Sequence, residues 1–218
     1  MKNNLPVIII GAGGHARVVA DTLLASGHKV LGFTDADTAL HGKMLLGCPV
    51  LGDDGVLQQY SPEKIRLANG IGITNNQAQS LRQRLQQSLK IQGWYFIGVK
   101  HPSAVVSTYT EINNNVQIMA GSIIQCGVFI GEGSIINTGA IIEHDVHIGD
   151  WTHIAPAAVL CGEASIGNFC HIGSGATVRQ QIVLGGNCLV GAGAVVTKNA
   201  SGSIILTGIP AREYRKSQ

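Results

Sequence analysis

From Val106 to Ser201 an aliphatic residue returns every six positions without losing register. The series is Val106, Ile112, Ile118, Ile124, Ile130, Ile136, Ile142, Ile148, Ile154, Leu160, Ile166, Ile172, Val178, Leu184, Val190 and Val196. Ile, Leu and Val make up 60 of the 218 residues. Chance alignment of all sixteen hexads therefore has odds on the order of one in 10^8. Four residues after almost every aliphatic stands a small residue or Val, as in Ser122, Val128, Ser134, Ala140, Val146, Thr152, Ala158 and Ala164. A period of six is a multiple of two, so strand alternation survives from repeat to repeat, which a 3.6-residue helix cannot achieve. The large and the small residue both point inward. Between them the chain must turn, and Gly or Asn suits that turn. Three hexads per coil predict a triangular prism in which residues 18 apart stack: a parallel β-helix with one continuous core.

Residues 5–100 carry a different pattern. Val7 to Ile10 is a short apolar run, hence a buried strand. Gly11-Ala12-Gly13-Gly14-His15-Ala16 follows, then an amphipathic stretch from Arg17 to Ala25 that Ser26-Gly27 stops. Lys29 to Phe33 predicts a second strand, ending near Asp35. Strand, glycine loop, helix, strand and acid make half of a Rossmann-type unit. Further on, Arg66 to Ile73 and Trp94 to Val99 are strand candidates, and Asn76 to Lys90 reads as a helix. Two domains are expected, 1–100 of α/β class and 101–218 all-β.

The glycine loop formally fits G-x-G-x-x-A with an acid about 20 residues on, the dinucleotide pattern. Only about 100 residues precede the repeats, which suits a mononucleotide better. Gly11, Gly13 and Gly14 would let a phosphate approach the helix N-terminus. Asn69-Gly70-Ile71-Gly72 falls where a strand end would meet such a ligand. NAD binding, or a plain tight turn, are the alternatives.

Composition narrows the classes. A net charge of +2 argues against a nucleic-acid or membrane surface. No 18-residue apolar run and no signal peptide are visible, so the cytoplasm is the expected location. The five Cys, at 48, 126, 161, 170 and 188, are odd in number and without CxxC, so neither a disulfide framework nor a metal site is expected. Cys170 and Cys188 are 18 apart and should stack inside the prism as buried thiols.

The repeat resembles that of the hexapeptide acyltransferases, whose β-helices are left-handed; ordinary parallel crossovers would give the opposite hand. Taken with GAGGHA, the strand-ending Asp35, His101-Pro102-Ser103-Ala104 before the repeats, and Ile-Asn-Thr-Gly-Ala followed by Glu143-His144-Asp145, the chain resembles one branch throughout. That branch holds the bacterial sugar acetyltransferases related to sialic acid O-acetyltransferase and to UDP-4-amino-sugar N-acetyltransferase. The resemblance implies a homotrimer with active sites between prisms, an N-terminal domain for the nucleotide sugar, and acetyl-CoA along the β-helix. It implies nucleotide-sugar contacts from Gly11, Gly13, Gly14, His15, Asp35, Asn69 and Gly72.

The chemistry of the repeat fits that implication. His144 occupies a third hexad position, at an outward-facing corner, within a charged triplet in a segment poor in charge. Acetyl transfer from a thioester to an amine needs a neutral amine. An imidazole with an ordinary pKa of about 6.5 is suited to take the proton. A carboxylate on its other nitrogen would fix the tautomer, and Asp145 or Glu143 could serve. The family makes His144 the base and favours Asp145. It also places a His at the spacing of His153 beside the thioester, where a donor would stabilise the oxyanion. Gly162, one coil beyond His144, leaves room for the pantetheine arm, and Gly191 and Lys198 lie where the family's CoA passes. His147 and His171 carry no such argument. Arg179-Gln180-Gln181 departs most from the small-residue pattern and puts the shape of its coil in question.

The resulting expectation is an acetyl-CoA-dependent N-acetyltransferase of a UDP-linked 4-amino-4,6-dideoxy sugar. The rivals are an O-acetyltransferase of sialic acid or a related sugar, a carbonic anhydrase with converging His ligands, and a nucleotide-sugar-binding scaffold with an inactive repeat domain.

Overall fold

The computed structural model describes residues 5–73 and 76–214, with the backbone alone for residues 76–80. The chain divides into two compact units, Met1–Pro102 and Ser103–Gln218.

In the first unit a five-stranded sheet has the order β3-β4-β2-β1-β5. β1 is Val7–Ile10, β2 Val30–Thr34, β3 Met44–Leu45, β4 Cys48–Gly52 and β5 Arg66–Asn69. β1 is an interior strand and fully buried, as its unbroken apolar run requires. It pairs in parallel with β2 on one side and β5 on the other. α1, Gly14–Ala25, crosses between β1 and β2, and α2 spans Asn76–Ile91. α1 ends at Ser26 and Gly27, the latter at φ +78°, a conformation that Gly adopts without strain. The β3–β4 hairpin turns at Leu46-Gly47, both with positive φ. The hydrophobic pattern did not announce this hairpin, because β3 is only two residues long and β4 is interrupted by Pro49 and Gly52. The strand expected over 94–99 shrinks to a bridge between Phe96 and Leu67 and a two-residue strand at Val99–Lys100.

The second unit is the prism. Each repeat contributes a two-residue strand that ends on its aliphatic residue, and each strand pairs in parallel with the strand 18 residues away, as Ile124 pairs with Ile142 and Ile142 with Leu160. Three faces result. The first runs through Val105–Val106, Ile123–Ile124, Ile141–Ile142, Val159–Leu160, Thr177–Val178 and Val195–Val196. The second carries Glu111–Ile112 to Val183–Leu184, and the third carries Gln117–Ile118 to Leu189–Val190. From Ile118 to Val196 the repeat aliphatics are at most 3% exposed and form one stack with the fifth-position residues.

Every corner from Asn115 to Asn187 places its fourth residue in the left-handed region. Gly fits there, and so do Asn115, Asp145 and Asn187. Trp151, Ala157, Glu163, Phe169 and Gln181 do not fit by propensity. Stacking holds them: each donates its N–H to the carbonyl at the corner one coil earlier, as Glu163 does to His144 at 3.0 Å and Gln181 to Gly162 at 3.0 Å. The coil through Arg179-Gln180-Gln181 is therefore regular, with Ile182 buried. Cys170 and Cys188 are buried free thiols that donate to the carbonyls of Gly185 and Ser201. No helix among the described residues is long and apolar enough to cross a membrane.

Candidate active site

His144 and Asp145 sit at the corner between the first and second faces. Asp145 has φ +58°, which turns its side chain back along the corner. Its Oδ2 lies 2.9 Å from His144 Nδ1. Glu143 makes no such contact and acts on the ring only through space. The Asp145 hydrogen bond, with smaller charge effects from Asp145, Glu143 and Glu163, raises the imidazole above its ordinary pKa, against a weaker desolvation effect. With Nδ1–H donating to the carboxylate, Nε2 keeps its lone pair, and it has no hydrogen-bond partner among the described residues. Both side chains are open to solvent, at 54% and 63% exposure.

Two glycines one coil away give this pair its room. A Cβ on Gly162 would come within 2.6 Å of His144 Nε2 and 2.7 Å of Cε1. A Cβ on Gly127 would collide with Asp145 Oδ1. The space at Gly162 is thus occupied by the imidazole itself. In the sequence, the only mark of Gly127 is its offset of 18 from Asp145.

His153 begins a third-face strand, on the side of the triangle opposite the His144 corner. It is 7% exposed. Asn137, on the same face, has its Oδ1 engaged by the Thr138 N–H at 2.8 Å, so its amide must present Nδ2 to His153 Nε2, 3.0 Å away. Nε2 is then the acceptor, and the proton of a neutral ring resides on Nδ1. The Asn137 side chain reaches His153 diagonally, a contact that no 18-residue offset in the sequence reveals. His171 packs edge-on against His153 at 4.9 Å, and burial lowers its pKa. His147 stacks on Phe129 at 4.6 Å on the second face. Lys198 stands at the His144 corner three coils on, and with Arg212 it lines a cavity of about 350 Å³. Gly191 lies beside the third face, where a Cβ would touch Thr207 at 3.0 Å. No group of three His, Cys, Asp or Glu residues able to hold a metal occurs among the described residues.

In the α/β unit, Gly13 caps α1 with no side-chain cap, and a Cβ there would meet nothing within 4 Å. The first turn of α1 is therefore open to an anion. Gly11, at φ +95°, needs to be Gly. Asp35 braces the loop: Oδ2 accepts from the Ala12 N–H at 2.8 Å and Oδ1 from the Asp37 N–H at 2.9 Å. Gly14 is exposed beside Gly13. Gly72 lies against His15, 3.0 Å from its Cβ by the same measure. Asn69 differs from the others. It is 3% exposed, and its amide donates to Arg82 O and Gln86 Oε1 and accepts from the Ile71 N–H.

Comparison with known proteins joins the two units. Residues 6–89 match the PglD N-terminal domain, and residues 127–162 and 163–198 match the bacterial transferase hexapeptide (six repeats). A variant of perosamine N-acetyltransferase from Caulobacter crescentus, solved with CoA and GDP-perosamine, is 37% identical over 97% of each chain, with a TM-score of 0.88. The acetyltransferase domain of PglB from Neisseria gonorrhoeae FA1090, solved with acetyl coenzyme A, is 32% identical over 97% of this chain and 100% of that one, with a TM-score of 0.89. No match was found among curated proteins. A glycine-loop α/β unit followed by a left-handed parallel β-helix, matched over nearly its full length, places this chain in the hexapeptide-repeat sugar acetyltransferases of the PglD type, enzymes that use acetyl-CoA.

Proposed function

We propose that this enzyme transfers acetyl from acetyl-CoA to the amine of a nucleotide-linked 4-amino-4,6-dideoxy sugar, with UDP as the nucleotide, in the cytoplasm. The observation that carries the reading is the His144–Asp145 pair: an exposed imidazole with its Nδ1 held at 2.9 Å and its Nε2 left as an acceptor. Such a group takes the proton that a sugar ammonium must lose before or during attack on the thioester. Asp145 fixes the tautomer and stabilises the imidazolium that forms. His153 stands on the thioester side, where its imidazole is placed against the oxygen that becomes an oxyanion. Lys198 and Arg212 supply cations for the phosphates of CoA, with Gly191 beside its path. The open first turn of α1, flanked by Gly11, Gly13, Gly14, His15 and Gly72, holds the diphosphate of the acceptor, and Asp35 shapes that loop. Asn69 serves through the backbone it holds. A second reading replaces UDP with GDP, favoured by the 37% identical Caulobacter enzyme solved with GDP-perosamine.

One chain keeps His144 and His153 on opposite sides of the triangle, so the two act together only across an interface between copies. The first face suits that role. Apart from Thr177, its outward residues Val105, Ile123, Ile141, Val159 and Val195 are apolar and at least partly exposed in the single chain. A homotrimer closes such a triangle. The test is a thermal-shift panel of UDP-, GDP- and dTDP-linked amino sugars, followed by acetyl-transfer assays on those that stabilise the protein. A rise in melting temperature with a nucleotide amino sugar, followed by N-acetylation, is expected. Stabilisation by NAD alone would overturn the assignment.

A further inference from the structure

Arg82 is fully buried, and no carboxylate among the described residues hydrogen-bonds to it. Its Nη1 donates to the carbonyl of Ile71 at 2.7 Å and to that of Asn69 at 3.2 Å, while Nε and Nη2 have no partner among the described residues. Burial lowers its pKa to about 9, which still leaves it charged at neutral pH. Taking a guanidinium out of water without a counter-ion is costly, and carbonyls at a strand end could be satisfied by water instead. The cost therefore calls for a return, and the two carbonyls locate it.

They belong to the segment that leaves β5. β1 is flanked by β2 on one side and β5 on the other, so the gap between the ends of β1 and β5 is the switch point of the sheet, where ligands of such folds bind. The glycine loop after β1 forms one side of this gap. Asn69–Ile73 forms the other, and the fit between them is close. A Cβ on Gly70 would lie 2.7 Å from Ala16 Cβ, and Ile71 Cγ1 lies 3.5 Å from the Cβ position of Gly11. Ile71 is held at both backbone groups: its N–H by Asn69 Oδ1 and its carbonyl by Arg82. A planar fork that stays charged when buried suits this task, and a neutral side chain does not.

We propose that Arg82 is a positioning residue for the nucleotide-linked acceptor, fixing Asn69–Ile73 as the wall that faces the Gly11–Gly14 loop. This inference rests on the nucleotide-sugar reading above. It reserves the effect for one substrate, because acetyl-CoA is assigned to the prism.

The experiment compares full-length wild type, Arg82→Met and Arg82→Lys in steady-state kinetics and in ligand-free hydrogen exchange over residues 69–73. For Arg82→Met, KM for the nucleotide sugar should rise about tenfold or more, while kcat and KM for acetyl-CoA stay within about twofold. Exchange over 69–73 should speed up. Arg82→Lys, which keeps a donor to one carbonyl, should fall between, and it carries the test if Arg82→Met does not fold. Unchanged KM and unchanged exchange in a folded variant would overturn the inference. So would a uniform loss in which both KM values and kcat follow the fraction of folded protein. If the wild type acetylates no nucleotide amino sugar, the substrate reading fails, and the exchange data then decide separately whether Arg82 holds the segment.

Discussion

Two histidine environments on one prism differ in nearly every respect. His144 stands at a corner, more than half exposed, with a carboxylate on Nδ1 and its pKa raised. His153 lies on the opposite face, nearly buried, with an amide on Nε2, beside His171, whose pKa burial lowers. The corner environment favours the imidazolium, so it suits a group that must receive a proton. The face environment fixes the ring by an amide on one nitrogen and leaves little of it open to solvent. The same residue type therefore meets two very different surroundings, and the prism keeps the two apart within one chain.

The largest expected effect removes the corner function. His144→Ala should lower kcat by about 10^2–10^4-fold with little change in acetyl-CoA affinity. The loss should shrink as pH rises and free amine accumulates without help. Near-normal turnover at neutral pH would return the corner to an ordinary solvated turn.

Complementation tests the separation itself. His153→Ala alone should lose about 1–3 kcal/mol of transition-state stabilisation, on the thioester side. Co-refolding His144→Ala with His153→Ala should raise activity above the mean of the two parents, by roughly a quarter of wild type for random trimers, since each mixed trimer would regain one intact interface of three. Failure to recover any activity from demonstrably mixed oligomers would place both histidines in one protomer's site, contrary to the topology.

Gly162→Ala probes the room around the imidazole. The added methyl must displace the ring, which is exposed and free to swing aside. A drop in kcat of about tenfold is expected with a melting temperature close to wild type. A large loss of stability instead would mean that the corner backbone, not the ring, yields.

Asp145→Asn should have the smallest effect on maximal rate and a clear effect on pH dependence. His144 works as a base only when neutral, and Asp145 raises its pKa, so activity in the native enzyme rises through a limb above about 6.5. Removing the carboxylate lowers that pKa and moves the limb to lower pH. A pH–rate profile of kcat/KM checks the direction, and a shift to higher pH would contradict the pairing.

Much of this was legible in the chain itself. The six-residue period fixed strands, coils and the stacking of residues 18 apart, because alternation and repetition are properties of sequence spacing alone. The charged triplet at 143–145 stood out because its surroundings lack charge. The β1–glycine loop–α1–β2 order also followed from local pattern.

What tertiary structure decided was which side chains meet. Asp145 reaches His144 because the stacked corner forces a left-handed backbone at position 145, and the same stacking lets Trp151, Phe169 and Gln181 occupy corners that propensity would deny them. Asn137 meets His153 on a diagonal, and Arg82 meets Ile71 across a strand end, neither at a spacing that any periodicity marks. Spacing along the chain determines which elements form. The tautomer, pKa and room of each group depend on neighbours brought together from other coils, and those are set only when the coils stack.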